Sequence, residues 1–274
     1  RRFIDDLTRI GQRSPRATQQ IDLPQLVAEL RAAPRLALLL DYDGTLVPLS
    51  PHPERAAPDD EALALLEALS RRPRTEVHVV SGRSRRSLEA WLGALPIGLQ
   101  AEHGLWWRSL DGVWHRDQRP LRAEWLPRVR PLLDDFVRQT PGTFVEEKEA
   151  ALVWHYRQAD VEFGAMQAKE LRLHLLELLS NLPVQILPGD KIVEVRTFGV
   201  NKGLLVDRLF GADPPQILAL GDDRTDEDLF AALPPGAVAV HVGEGPSRAG
   251  RRLPDVAAVR RLLRGLLDSN QSQT

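Results

Sequence analysis

The sequence predicts an α/β fold: a doubly wound parallel-sheet core interrupted by an inserted α+β cap domain. Three observations predict it. Short apolar runs alternate with amphipathic segments at both ends of the chain, the pattern of β-α units around a parallel sheet. Several of these runs stop abruptly at polar residues, as strands do at the chemical edge of an open sheet. The middle third changes texture: residues 105–195 hold five of the six tryptophans and several closely spaced β-like runs.

Taken in order, residues 1–20 are polar with no sustained period, and residues 21–33 read as a short amphipathic helix. Leu36 to Leu40 is an unbroken apolar run, the first strand. A proline-rich loop leads to a helix over 59–70 that opens on Asp59, Asp60 and Glu61, acids suited to the positive end of a helix. Thr75–Val80 is the second strand, a helix follows through Leu92, and Ile97–Ala101 is the third. In the insert, β-like runs at 105–108, 113–116, 143–147 and 151–157 precede a long helix over 160–181. Two more strands, 184–187 and 191–196, are joined by the turn Pro188-Gly189-Asp190. Alternation then resumes with a helix over 201–210, a strand at 216–220, a helix from about 225, a strand at 237–242 and a helix over 255–267. The polar tail from Asp268 is expected to be disordered. The expected division is therefore core 1–104, cap 105–195 and core 196–274.

Composition narrows the classes of function. A net charge of −2 gives no general attraction to nucleic acid or to an anionic membrane. No apolar stretch is long enough to span a bilayer. The absence of cysteine excludes disulfides, thiolate metal sites and thiol nucleophiles, and fits a reducing compartment such as the cytoplasm. The chain starts at Arg1 rather than Met, which points to trimming or to a longer parent protein. Only four of the 36 basic residues are lysines, Lys148, Lys169, Lys191 and Lys202, so a lysine marks a place where a compact point charge suits better than a planar fork.

Four motifs carry chemistry. In Asp41-Tyr42-Asp43-Gly44-Thr45 two carboxylates stand at the mouth of the first strand. One carboxylate can attack phosphorus, the other can transfer protons, and Thr45 can bond a phosphoryl oxygen. An Asx turn with solvated acids is the plainer alternative. Ser81-Gly82-Arg83 ends the second strand and reads either as a phosphate contact or as a helix start capped by Ser84. Asn201-Lys202-Gly203 puts a cation at a helix start, which opposes the helix dipole unless an anion sits in front of it. Gly221-Asp222-Asp223-Arg224-Thr225-Asp226-Glu227-Asp228 crowds five acids on one strand-to-helix turn, and a hard cation needs such oxygen ligands.

The four motifs in this order resemble those of the haloacid dehalogenase superfamily of phosphatases, and the insert resembles that superfamily's larger α+β cap. The resemblance implies Asp41 as nucleophile, Asp43 as general acid/base, and Ser81 and Lys202 as phosphate-binding residues with Thr45 in support. It implies Mg²⁺ held by Asp41, the backbone carbonyl of Asp43, and Asp222. Asp226 would be a further member, through water or by holding the site. The runs Glu146-x-Lys148…His155-Tyr156-Arg157, Lys191-Ile192-Val193-Glu194 and Ala101-Glu102-His103-Gly104 are similar to trehalose-6-phosphate phosphatases. That similarity implies that Glu146, Lys148, Arg157, Lys191 and Glu194 bind a disaccharide, with Arg83 and Glu102 in the substrate site. Trp106, Trp107 and Trp114 are read as cap core or as a sugar platform; His103 is read as substrate contact, acid-orienting group or structural histidine. His155 and Tyr156 cannot both face the site if that run is a strand.

The expected function is Mg²⁺-dependent hydrolysis of trehalose 6-phosphate through an aspartyl-phosphate. Its rivals are hydrolysis of sucrose, mannosylglycerate or hexose phosphate, a non-catalytic partner of a trehalose-phosphate synthase, or a receiver-type module that only accepts phosphate. The expected partners are a small sugar phosphate and a trehalose-phosphate synthase, with no nucleic acid and no membrane.

Overall fold

A computed structural model of the chain describes residues 19–50, 55–118, 123–211 and 213–267. The expectations for the polar start up to residue 18 and for the tail from Asp268 lie outside the described residues.

Strand β2 (Leu36–Asp41) is buried along its whole length. Its alternating side chains feed both faces of the sheet, because successive residues of a strand point to opposite sides. Leu36, Leu38 and Leu40 pack with helices α1 (Leu23–Ala32), α2 (Asp60–Ser70), α3 (Arg85–Leu92) and α8 (Val256–Gly265). Ala37 and Leu39 pack with α6 (Leu204–Leu209) and α7 (Asp226–Ala232) on the other face. The helix starts follow the local chemistry: Asp59 caps α2, Ser84 caps α3 and Asp255 caps α8, each accepting from a backbone N–H of the first turn.

The core sheet has nine strands in the order β1-β13-β12-β11-β2-β3-β4-β5-β6. These are β1 (Gln19–Gln20), β3 (Thr75–Val80), β4 (Gly98–Ala101), β5 (Trp106–Arg108), β6 (Trp114–Arg116), β11 (Gln216–Gly221), β12 (Val238–Val242) and β13 (Arg251–Leu253), with β2 at the centre. The pairs from β1 to β4 are parallel. The order runs outward one way from β2 and the other way from β11, so the crevice between them is the topological switch point where open α/β sheets bind ligands.

The cap is a four-stranded antiparallel sheet in the order β7-β8-β10-β9, from β7 (Phe144–Glu147), β8 (Ala151–His155), β9 (Val184–Gly189) and β10 (Ile192–Thr197). Helices α4 (Leu126–Gln139) and α5 (Val161–Leu178) close one face around Trp125, Val129, Leu133, Trp154, Leu171, Val193 and Val195.

Three expectations are corrected. Residues 106–116, expected at the start of the cap, form the antiparallel hairpin β5–β6 on the edge of the core sheet. A tight turn over 102–104 folds the chain straight back, so Trp106 pairs with Ala101, and Trp106 and Trp114 pack against the main core. Helix α4 falls where no element was expected, and it carries two prolines, Pro127 and Pro131. Pro127 sits in the first turn, where the missing N–H costs nothing, and the stripe Val129, Leu133 and Phe136 is buried deeply enough to carry the helix past Pro131. Gln19–Gln20, placed in a shapeless start, adds a parallel edge to β13.

Leu38 is fully buried in the central strand. Leu38→Ala is expected to lower unfolding free energy by about 3 kcal/mol, measured by urea denaturation, from lost transfer energy plus an unfilled cavity.

Candidate active site

The site begins where β2 and β11 end. The two strands pair in parallel with Leu220 opposite Leu40, so Asp41 and Asp222 emerge side by side. Asp226, the first residue of α7, turns back toward them. Carboxylate oxygens of Asp41, Asp222 and Asp226 lie within 4.8 Å of one another. The chain leaves β2 through Gly44, whose φ is +80°, and a Cβ there would stand 2.1 Å from Asp222 Oδ2. Only glycine permits both that backbone and that approach. Thr45, fully buried, donates from its hydroxyl to Asp222 Oδ1 at 3.5 Å.

Lys202 enters just before α6. Its Nζ donates to Asp41 Oδ1 at 2.6 Å and to Asp226 Oδ1 at 2.8 Å, with Asp223 Oδ1 at 3.8 Å. On the other side of β2, Ser81 follows the end of β3, and its hydroxyl accepts from the Arg83 N–H at 3.1 Å. Arg83 grips Asp43 with two bonds, Nε to Oδ2 at 2.7 Å and Nη2 to Oδ1 at 2.6 Å. The Asp43 side chain is therefore engaged by a guanidinium and stands outside the acidic cluster.

One ammonium cannot neutralise this many acids. Burial, then the charges of Asp41 and Asp223, push the Asp222 carboxyl up to about 9. Burial likewise raises Asp41 against the pull of Lys202, and raises Asp226 well above its ordinary value. Burial opposes the Lys202 charge, but Asp226 and Asp41 outweigh it and hold the ammonium form far into the alkaline range. The donor set is all carboxylate oxygen, and in its deprotonated form it carries more negative charge than one ammonium balances, which fits a hard divalent cation.

The roof is the uncovered face of the cap sheet. Alternation puts Glu146 of β7, His155 of β8 and Glu194 of β10 on this face. His155 Nε2 lies 3.0 Å from Glu146 Oε2, and Lys148 Nζ lies 3.9 Å from the same oxygen. Burial would raise the Glu146 carboxyl, but Lys148 and His155 hold it below its ordinary value. Glu194 is held far lower still: against burial, His103, Lys148 and Arg196 all favour its charge. Tyr156 takes the opposite face and stacks on Trp154 at 5.2 Å, which resolves the choice between His155 and Tyr156.

One cleft is lined by Asp41, Asp43, Ser81, Arg83, Glu146, Lys148, Arg157, Glu194, Lys202 and Asp222. Thr45 and Asp226 lie buried beneath it. Two expected sugar contacts do not line it. Glu102 turns toward the cap loop and accepts from the Glu149 N–H at 3.0 Å. Lys191 sits at the β9–β10 turn with φ +59° and carries its ammonium over the Tyr156 ring at 5.8 Å. Arg157 reaches the rim but is paired with Asp190 at 2.7 Å. His155, Asp223, Thr225, Leu187 and Ile192 line the cleft without having been singled out as site residues. Strand alternation from Glu146 and Glu194 is the signal that finds His155 and Ile192.

The fold is that of haloacid dehalogenase-like hydrolases. A haloacid dehalogenase-like hydrolase from Bacteroides thetaiotaomicron shares the fold at a TM-score of 0.59 and 12% identity, over 84% of this chain and 98% of that one. The chain belongs to the trehalose-phosphatase family, whose profile matches residues 39–254. It is similar to the C-terminal domain of the C. albicans trehalose-6-phosphate phosphatase, with a TM-score of 0.86 and 32% identity over 93% of this chain and 99% of that one. It is also 40% identical, over 93% of its length, to a bifunctional trehalose-6-phosphate synthase/phosphatase of Thermoproteus tenax. The chain spans about a third of that relative's length, 35%. Among the described residues, no helix is long and apolar enough to cross a membrane.

A carboxyl that keeps its proton up to about pH 9 must release it to hold a cation. Binding of a divalent cation such as Mg²⁺ is therefore expected to liberate protons and to tighten as pH rises from 6 to 8. Calorimetry in two buffers of different ionisation enthalpy checks this, and Asp222→Asn is expected to reduce the buffer dependence.

Proposed function

We propose that the chain is a Mg²⁺-dependent phosphatase that hydrolyses trehalose 6-phosphate to trehalose and phosphate. The observation that carries the reading is the opposition of two polar surfaces across one cleft. The floor has Asp41, Lys202 and Asp222, and the roof has Glu146, Lys148 and Glu194. A phosphate dianion suits the floor and a hydroxyl-rich sugar suits the roof, since charged partners make the stronger hydrogen bonds to hydroxyls.

Asp41, Asp222 and Asp226, with the Asp43 backbone carbonyl, would hold the Mg²⁺. When bound, Mg²⁺ supplies charge neutralisation for the phosphoryl oxygens. Lys202 neutralises phosphate charge from the other side and orients Asp41 through its 2.6 Å bond. The Asp41 carboxylate attacks phosphorus in line, and the bond from phosphorus to sugar O6 breaks as Asp43 delivers a proton to O6. Asp43 then takes a proton from water as that water attacks the aspartyl-phosphate, releasing phosphate and restoring Asp41. The bidentate grip of Arg83 occupies both Asp43 oxygens, so one of those bonds opens when the sugar enters. Ser81 and Thr45 support the phosphoryl group. Arg83 and Arg157 contact the sugar at the rim, while Glu102 and Lys191 act on the shape of the cap rather than on the sugar.

The Thermoproteus tenax relative is a bifunctional trehalose-6-phosphate synthase/phosphatase, which supports association with a trehalose-phosphate synthase as the source of substrate.

The decisive measurement is phosphate release from trehalose 6-phosphate, sucrose phosphate, mannosylglycerate phosphate and glucose 6-phosphate, with and without EDTA. Trehalose 6-phosphate is expected to have the highest kcat/KM, and EDTA to abolish turnover. Asp41→Asn is expected to leave no measurable turnover in a folded protein. Asp43→Asn is expected to lower kcat by about 10²- to 10⁴-fold. Equal rates on all four sugars, or a fully active Asp41→Asn, would overturn the reading.

A further inference from the structure

We propose that His103 is a positioning residue that locks the sugar-binding carboxylate Glu194 to the phosphate-binding loop. The inference rests on the proposed phosphatase reading and adds to it how the two ends of the substrate are kept in register.

The first observation is backbone strain. Glu102 and His103 follow β4 with φ of +48° and +54°, two consecutive non-glycine residues in the left-handed region. Such strain persists only where the surroundings enforce it. The turn has a use for it. The His103 N–H donates to Ser81 O at 3.1 Å and the Glu102 N–H donates to Arg83 O at 2.9 Å, so the strained pair pins both sides of the Ser81-Gly82-Arg83 loop.

The second observation is where the ring goes. His103 is 6% exposed and lies flat against Gly82, where a Cβ would stand 2.5 Å from its Cε1. Glycine at 82 is thus the space the imidazole needs. Beyond Gly82 the ring reaches across the cleft, and Nε2 stands 3.2 Å from Oε1 of Glu194, itself 4% exposed, on cap strand β10. Among the described residues neither ring nitrogen, nor Oε1 of Glu194, has a hydrogen-bond partner, so the two groups meet as a close contact of imidazole and carboxylate. A buried imidazole 3.2 Å from a buried carboxylate of another domain is placed to aim that carboxylate.

His103 therefore works through Glu194. Two buried groups on opposite walls hold each other only when the cap sits at one height above the phosphate loop. A phosphoryl group beside Ser81 and a sugar hydroxyl at Glu194 are then at a fixed separation, which selects sugar phosphates of one length.

The test is a double-mutant cycle on the sugar phosphate that the wild-type chain turns over fastest. His103→Ala is expected to raise KM and lower kcat/KM by about 10- to 100-fold, the worth of one close polar contact to a buried charged group. His103→Gln, which keeps an N–H near the reach of Nε2, is expected to recover most of that loss. Glu194→Gln combined with His103→Ala is expected to be no worse than the poorer single variant. Multiplying losses would show that His103 acts elsewhere, and an unchanged kcat/KM in His103→Ala would show that it does nothing here; either overturns the inference. If His103→Ala fails to give a cooperative unfolding transition, His103→Asn, which retracts the donor, takes its place in the cycle. A wild-type chain that releases phosphate from no sugar phosphate sinks the proposed function and this inference with it, whereas an active wild type with an indifferent His103→Ala sinks this inference alone.

Discussion

The buried ammonium of Lys202, bonded to Asp41 and Asp226 at once, is the interaction on which the floor of the site depends. It joins three separate stretches of chain: the end of β2, the approach to α6 and the start of α7. Each partner alone would be costly to bury, and the cluster exists because the charges compensate one another. Compensation is incomplete by design of the residue set, since Asp222 brings a further carboxylate to the same corner. The carboxylates left over suit a hard cation, and under the proposed function that cation together with Lys202 would let the acidic corner accept a phosphate dianion. The neighbouring Gly44 is part of the same constraint, because any side chain there would displace Asp222.

Above this corner the problem is registration. The floor belongs to the parallel sheet and the roof to a separate antiparallel sheet, so their separation is not set by any shared strand. Ties across the junction set it. Glu102 accepts from the Glu149 N–H, and the His103 ring meets Glu194. Arg196 on β10 donates to Asp228 on α7 at 2.9 Å, linking the cap to the helix that carries Asp226. Arg208 on α6 bonds the carbonyl of Gly104 at 2.7 Å, bracing the strained turn from behind. Several of these groups are charged and buried, so the closed arrangement is specific in angle as well as in distance.

The core and its chemistry were legible because both are local. An unbroken apolar run followed by Asp-x-Asp-Gly-Thr states the strand and its functional end together, and parallel pairing then brings Asp222 alongside Asp41 without further information. The cap was legible only in part. Glu146, Lys148 and Glu194 followed from resemblance, and alternation along β7, β8 and β10 accounts for their common face. Glu102 and Lys191 went astray because both have a positive φ, which re-aims a side chain in a way that residue order does not express. The β5–β6 hairpin went astray because tryptophan-rich texture marks burial without saying in which domain. Helix α4 was hidden by two prolines whose cost depends on their place in the turn, and by a buried stripe whose partner helix is distant in sequence.

The uneven use of basic residues has the same physical basis. Arginines brace: Arg260 spans the Leu46 carbonyl, Asp59 and Glu61; Arg108 gathers the carbonyls of Gly93, Leu95 and Ile97; Arg83 grips both oxygens of Asp43. A planar fork with five donors suits groups that are fixed and several at once. The two lysines that line the cleft, Lys202 and Lys148, have side chains only 3% and 9% exposed. A compact ammonium fits where carboxylates converge from different directions, and its rotating donors can be re-aimed when a phosphate or a sugar hydroxyl arrives. Lys169 and Lys191 lie outside the cleft, so lysine is not confined to it; at these two positions, under the proposed function, the partners of the charge would change as substrate binds.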